Sequence, residues 1–149
     1  MHSRLSELLD TLNLVSEPDE RASLLIDYAS RFREVPPEIA RRPFALENRV
    51  PYCESEAYVW VVQQPEGTLK LYFGVENPSG ISAKALAVIL DSTLSGLLPE
   101  EFGDIPSDIV ERIFRRNISM GKGMGLVSIV HMVQHLAARY ARNRKTSSG

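Results

Sequence analysis

The sequence predicts an α+β domain in which helices pack on one face of a small antiparallel sheet. Three observations carry that prediction. Leucines recur at helical spacing from Leu5, two β-branched and aromatic runs flank Pro65-Glu66-Gly67, and helical periodicity returns at Leu86.

Leu5, Leu8, Leu9 and Leu12 define the first helix. A second starts at Ser16, with Pro18 just inside and Asp19 three residues on, in the manner of a capping box. Its apolar face is expected to hold Ala22, Leu25, Ile26, Ala29 and Phe32, and Pro36-Pro37 stops the pattern. Glu56 to Val62 and Thr68 to Phe73 then read as the strands of a hairpin. A stable sheet needs a third strand, and residues 45–50 are the candidate. Leu86, Ile89, Leu90, Leu94 and Leu97 mark a long helix ending before Pro99, and Pro106-Ser107-Asp108 opens a short one. The stretch Gly121 to Gly125 reads as a turn leading into a last helix from Leu126 to about Arg142. Residues 1–142 therefore form one domain, and residues 143–149 are expected to be a flexible tail.

The length of 149 residues suits a single core, and a formal charge of -2 argues against a nucleic-acid binder. Arg139, Arg142, Arg144 and Lys145 cluster at the C-terminal end as a solvated group. Charged residues Arg4, Glu7 and Asp10 interrupt the beginning, and no apolar run is long enough for a bilayer. The expectation is a cytoplasmic protein, monomeric or weakly dimeric, without membrane or nucleic-acid partners.

The single cysteine, Cys53, lies in Asn48-Arg49-Val50-Pro51-Tyr52-Cys53-Glu54-Ser55, directly before the first strand. Pro51 breaks any regular strand there, which places the thiol on a loop at a sheet end, where reactive groups are often presented. The plain alternative is a small buried apolar residue. With one cysteine there is no internal disulfide, no thioredoxin-type pair and too few ligands for a cluster scaffold.

The segment Asn48 to Trp60 resembles the cysteine-loop signature of the SufE family of sulfur acceptors: an Asn-Arg-Val-Pro lead-in, a cysteine, a polar residue, serine and a strand. Ile118-Ser119, followed by Lys122, Gly125 and Leu126, resembles that family's second motif. Tyr52 stands where the family usually has glycine, Glu54 for its glutamine, Lys122 for its arginine and Met124 for its asparagine. The likeness runs from about Leu24 to Ala141 and implies a SufE/IscU-like fold.

The resemblance implies a carrier that takes persulfide sulfur from a pyridoxal-phosphate-dependent, SufS-like cysteine desulfurase onto Cys53. It would thereby stimulate the desulfurase and deliver sulfur to an iron–sulfur scaffold complex. The pyridoxal chemistry belongs to the partner, so this chain is expected to need no cofactor. It acts as an accessory transfer protein rather than an independent enzyme. Thiolate formation wants nearby positive charge. Arg49 is the candidate by proximity in sequence, and Lys122 by the resemblance. The family's resting loop tucks its thiol into an apolar cavity, for which Val50, Tyr52, Tyr58 and Ile118 are the expected lining. A different reading is a binding module that modulates a desulfurase or scaffold without carrying sulfur.

Two rival constellations are weaker. His131 and His135 are spaced for metal ligation, but Leu126, Ile129, Val130, Val133 and Ala137 share one helical face and put both histidines on the solvent side. No His-Glu-x-x-His is present, since Met132 follows His131. The run Gly121-Lys122-Gly123-Met124-Gly125 matches neither phosphate-loop nor dinucleotide spacing. No metal site is therefore expected.

Overall fold

In the computed structural model, residues 3–148 are described, with side chains from 4 to 143. Helix α1 spans Ser3–Asn13 and α2 Pro18–Ser30. Strands β1 (Ala57–Gln63) and β2 (Leu69–Val75) form the hairpin. Helices α3 (Ile81–Leu94), α4 (Ile109–Phe114) and α5 (Met120–Ser148) follow. The fold is α+β, with its helices on one face of the hairpin. No described helix is long and apolar enough to cross a membrane.

The hairpin alternates as a pleated strand pair must. Ala57, Val59, Val61, Leu69, Leu71 and Phe73 face the main core, where α1, α3 and α5 contribute Leu5, Leu9, Leu86, Ile89, Leu90, Leu126, Ile129 and Val133. Tyr58 and Trp60 face the other way and pack with Phe44 and Val35. The Phe44 ring meets Trp60 edge-on, with centroids 4.9 Å apart. The second face is thus covered by the coil between α2 and β1, which the hydrophobic pattern alone does not reveal.

The expected third strand is absent from the described residues. Residues Leu46–Asn48 form a 3₁₀ turn, and only an isolated bridge, Arg49 to Tyr58, pairs with β1. Two strands suffice because loops and side chains take up their outer edges. On β1 the carbonyls of Ala57, Val59 and Val61 accept from the Val50 amide (2.9 Å), the Asn48 carboxamide (3.0 Å) and the Tyr140 hydroxyl (2.9 Å). On β2, Phe73 accepts from Val35, Leu69 exchanges bonds with Gly96 and Leu97, and the Leu71 amide donates to the Ser95 hydroxyl. That last set ends α3 at Leu94, earlier than the leucine pattern predicts, with Gly96 at φ 97° making the turn.

Two other expectations shift. The N-cap of α2 is Glu17 rather than Ser16, its carboxylate accepting from the Glu20 amide at 2.8 Å with Pro18 in the first turn. Ile26, expected on the apolar face, is exposed, and Arg21 is buried instead. Helix α5 begins at Met120, so the glycine stretch is helical. Ser119 caps it, its hydroxyl facing the Lys122 amide and its carbonyl accepting from Gly123. The α5 face predicted from spacing is buried, and both histidines are exposed. Helix α5 continues to Ser148, past the expected end near Arg142. The side chains of Arg144 and Lys145 lie outside the described residues.

Arg21 is 1% exposed and meets four carbonyls. Its guanidinium donates to Val15 (2.8 Å), Arg112 (3.1 Å), Ile113 (2.8 Å) and Leu12. These carbonyls belong to the C-terminal ends of α1 and α4 and to the linker after α1, where a cation is favoured by the helix dipole, and that of Leu12 also accepts from the Val15 amide at 3.0 Å. Burial, and then the charge of Arg115, lower its pKa from the ordinary arginine value. Arg21→Met is expected to cost about 3 kcal/mol in urea unfolding, because four carbonyls lose a charged donor and only that of Leu12 keeps the Val15 amide among the bonds described. Arg21→Lys should recover less than half of that, since an ammonium cannot reproduce the fork. Full recovery by lysine would show that charge, and not geometry, is what the site requires.

Candidate functional site

The loop between Val50 and Ala57 is built on the sealed edge of β1. Asn48, Arg49 and Val50 hold its first half by the carboxamide bond, the bridge and the amide bond to Ala57. The second half is a tight turn, in which the Glu56 amide donates to the Cys53 carbonyl at 3.1 Å. Three consecutive carbonyls beyond Cys53 are then tied to the segment after β2. Glu54 accepts from the Asn77 carboxamide (3.1 Å), Ser55 from the Asn77 amide (3.2 Å) and Glu56 from the Glu76 amide (3.2 Å).

Between these anchors lies the strained part of the loop. Tyr52 has φ 58° and Glu56 φ 53°, left-handed conformations that cost non-glycine residues roughly 1 kcal/mol each. Tyr52 is 92% exposed, so little packing holds it there. This is the position at which the sequence has tyrosine in place of the family's usual glycine.

Cys53 is 8% exposed and belongs to the main core, together with Val50 and Leu126. It lines an open depression with Arg49, Val50, Tyr52 and Glu54. Behind it stands α5 at Gly125. A methyl group there would lie 3.2 Å from the Tyr52 carbonyl oxygen, 3.3 Å from the Cys53 Cα and 3.8 Å from its Sγ. Backbone approaches this close only where a side chain is missing, so the helix provides a flat wall for the loop.

The predicted site residues separate into two groups. Arg49 and Cys53 do share the depression, and Arg49 is exposed. Lys122 is exposed in the first turn of α5, three residues before Gly125 and so on the same side of the helix. No ion pair or hydrogen bond among the described residues joins either cation to the thiol. Of the expected cavity lining, Val50 is buried beside the thiol and Ile118 packs partly buried against the same core. Tyr52 instead points to solvent, because its left-handed backbone turns the side chain outward. Tyr58 lies on the opposite face of the hairpin, as the period-two alternation from Ala57 requires.

Sequence reasoning misses the role of Gly125, named only as part of the second motif, and misses Asn77 altogether. Gly125 reads as part of a turn, although a glycine inside a helix with no turn to serve is itself a signal of close approach. Asn77 sits in Asn77-Pro78-Ser79-Gly80, whose turn composition is visible but whose reach to Glu54 is not. The depression has an exposed apolar rim in Leu46 and Tyr52, and a separate groove on α5 has another. Leu46, Tyr52, Met120 and Met124 are all well exposed, and the two methionines border a groove with Ile118 and Val127.

Comparison with known proteins agrees with this architecture. The family model SufE, described as an Fe-S metabolism associated domain, matches residues 6–137. The chain belongs to the SufE family. A solution structure of a hypothetical protein from Thermus thermophilus superimposes with a TM-score of 0.70 at 23% identity. The match covers 93% of this chain and 96% of that one, and it establishes the shared fold. No curated protein matches the chain. Membership of the SufE family associates the protein with iron–sulfur metabolism.

Two substitutions check the loop geometry of this SufE-family protein. Gly125→Ala should push the loop outward by a few tenths of an ångström and speed alkylation of Cys53 several-fold. Stability should stay within about 1 kcal/mol, because improved helix propensity offsets the crowding. An unchanged alkylation rate would mean that the wall does not confine the thiol. Tyr52→Gly should raise stability by about 0.5–1 kcal/mol, as left-handed strain is relieved with little packing lost. A loss of stability in urea unfolding would remove strain as the account of that position.

Proposed function

We propose that Cys53 is a sulfur carrier. It accepts the terminal sulfur of a persulfide on a pyridoxal-phosphate-dependent cysteine desulfurase and passes it to an iron–sulfur scaffold complex in the cytoplasm. The observation that carries this reading is the setting of the one cysteine in a SufE-family chain. It is nearly buried at an open depression, on a loop anchored at both ends and strained between them.

The chemistry is an exchange at sulfur. The Cys53 thiolate attacks the outer sulfur of the donor persulfide, the S–S bond of the donor breaks, and the donor cysteine leaves as thiolate. A persulfide is formed and a persulfide consumed, so no oxidant or reductant is required. Delivery repeats the step with Cys53 as leaving group. A second thiol nearby would divert the sulfur as sulfide by closing a disulfide, and the sequence has none.

The neighbours support these roles. Arg49 at the rim of the depression and Lys122 on the adjoining helix turn supply positive charge that favours thiolate and the incoming anionic persulfide. The apolar flank of Val50 and Leu126 keeps water and small reductants from the outer sulfur between transfers. Exposed Leu46 and Tyr52 offer the desulfurase an apolar contact beside the thiol, and exposed Met120 and Met124 an adaptable one at the start of α5. Clearing the donor persulfide is what stimulates the desulfurase.

Incubation with a cysteine desulfurase, cysteine and pyridoxal phosphate should add one sulfur atom to the intact protein by mass spectrometry. The gain should vanish with reductant and be absent in Cys53→Ser, which should also abolish stimulation of the desulfurase. Stimulation retained in Cys53→Ser, with no gain in mass for the unaltered protein, would replace the carrier by the non-carrying modulator.

A further inference from the structure

The bonds that hold the cysteine loop are unequal. The turn from Cys53 to Glu56 is closed by its own backbone bond, and its second half is tied from outside by backbone bonds, Ser55 to the Asn77 amide and Glu56 to the Glu76 amide, so its first half can swing about Ser55. Pro51 and Tyr52, on the other side, make no hydrogen bond among the described residues and carry left-handed strain at Tyr52. One side-chain bond reaches into the middle of the turn from outside, that of Asn77 Nδ2 to the Glu54 carbonyl.

Asn77 is itself rigidly placed. Its Oδ1 accepts from the Ser79 amide at 2.9 Å, which fixes the carboxamide plane and points Nδ2 at the loop. Its carbonyl accepts from the Gly80 amide at 2.9 Å. Gly80 leaves no room to shift, since a methyl group there would lie 2.7 Å from Val75 Cγ1 and 3.3 Å from Ser55 Cβ.

We propose that the Asn77 carboxamide is a latch, a positioning residue that limits how far Cys53 can move out of the loop by holding the Glu54 carbonyl. With the latch closed, the Cys53 Cα is one peptide, about 3.8 Å, from a fixed point, so the thiol can pivot but not travel. With it open, the nearest outside anchor is the Ser55 carbonyl, and the reach roughly doubles to about 7 Å. The inference rests on the carrier reading for its purpose, since a thiol 8% exposed must advance to meet a cysteine on another protein. A donor and acceptor sulfur must come within about 3.5 Å.

Reagent size separates pivoting from travel. Asn77→Asp keeps the acceptor for Ser79 and removes the donor to Glu54. The rate of Cys53 modification by a bulky maleimide should rise about fivefold, the worth of one neutral hydrogen bond, while the rate with iodoacetamide changes less than twofold. A merely structural role would raise both rates together, because opening by unfolding exposes the thiol to either reagent. A bulky-to-small rate ratio equal to that of the unaltered protein overturns the latch, whether both rates rise or neither does. The measurement involves no sulfur transfer, so a raised ratio together with a failed persulfide transfer would leave the latch standing and remove only the carrier.

Discussion

A guanidinium buried among carbonyls, with no carboxylate partner among the described residues, holds the helical half of this molecule together. Arg21 donates to four backbone oxygens at the C-terminal ends of α1 and α4 and in the linker after α1, where the helix dipoles favour a cation. The arrangement fixes where α4 ends. Two neighbouring contacts, Arg115 to the Asn13 carboxamide and the Asn117 carboxamide to the Pro18 carbonyl, fix the turn that follows. Helix α5 starts three residues later, and its register sets the position of Gly125 against Cys53. The site is therefore only as well defined as that junction.

The hairpin half obeys a different constraint. Two strands leave outward-facing carbonyls and amides on both edges, and burial forbids leaving them unpaired. Loops and single side chains meet the need where a third strand would normally serve. The cysteine loop is one of those seals, which explains how a segment with left-handed residues at both ends keeps one conformation: its termini belong to the sheet while its middle does not. Strain stored between firm anchors is a familiar condition of functional loops.

Much of this is legible in the sequence, and the exceptions have definite causes. The hairpin, the helical order and the buried stripe of α5 follow from periodicity, because period-two and 3.6-residue patterns survive whatever packs against them. The loop position of Cys53 follows from Pro51, whose missing amide donor excludes a regular strand. Arg21 and Ile26 exchange places because a polarity pattern cannot anticipate an arginine whose partners are helix ends 9 and 92 residues away in the chain. The third strand fails because Asn48 uses its side chain for the bond a strand would make with its backbone. Resemblance and proximity place Lys122 and Arg49 near the thiol, and their distance from the sulfur is a matter of side-chain packing that no one-dimensional pattern encodes.

The hydroxyl of Tyr140 on the Val61 carbonyl has a consequence for recognition. Many proteins capture a partner by letting it add a strand to an open sheet edge, gaining affinity from backbone bonds and little from side-chain identity. Here Tyr140, Asn48 and Val50 already occupy the carbonyls of β1 that such a strand would use. A β-augmenting partner would have to expel the cysteine loop from the edge on which it is built. Recognition thus falls to side chains around the thiol, which makes it a matter of shape and sequence on both partners and shields the protein from indiscriminate strand pairing with its own copies.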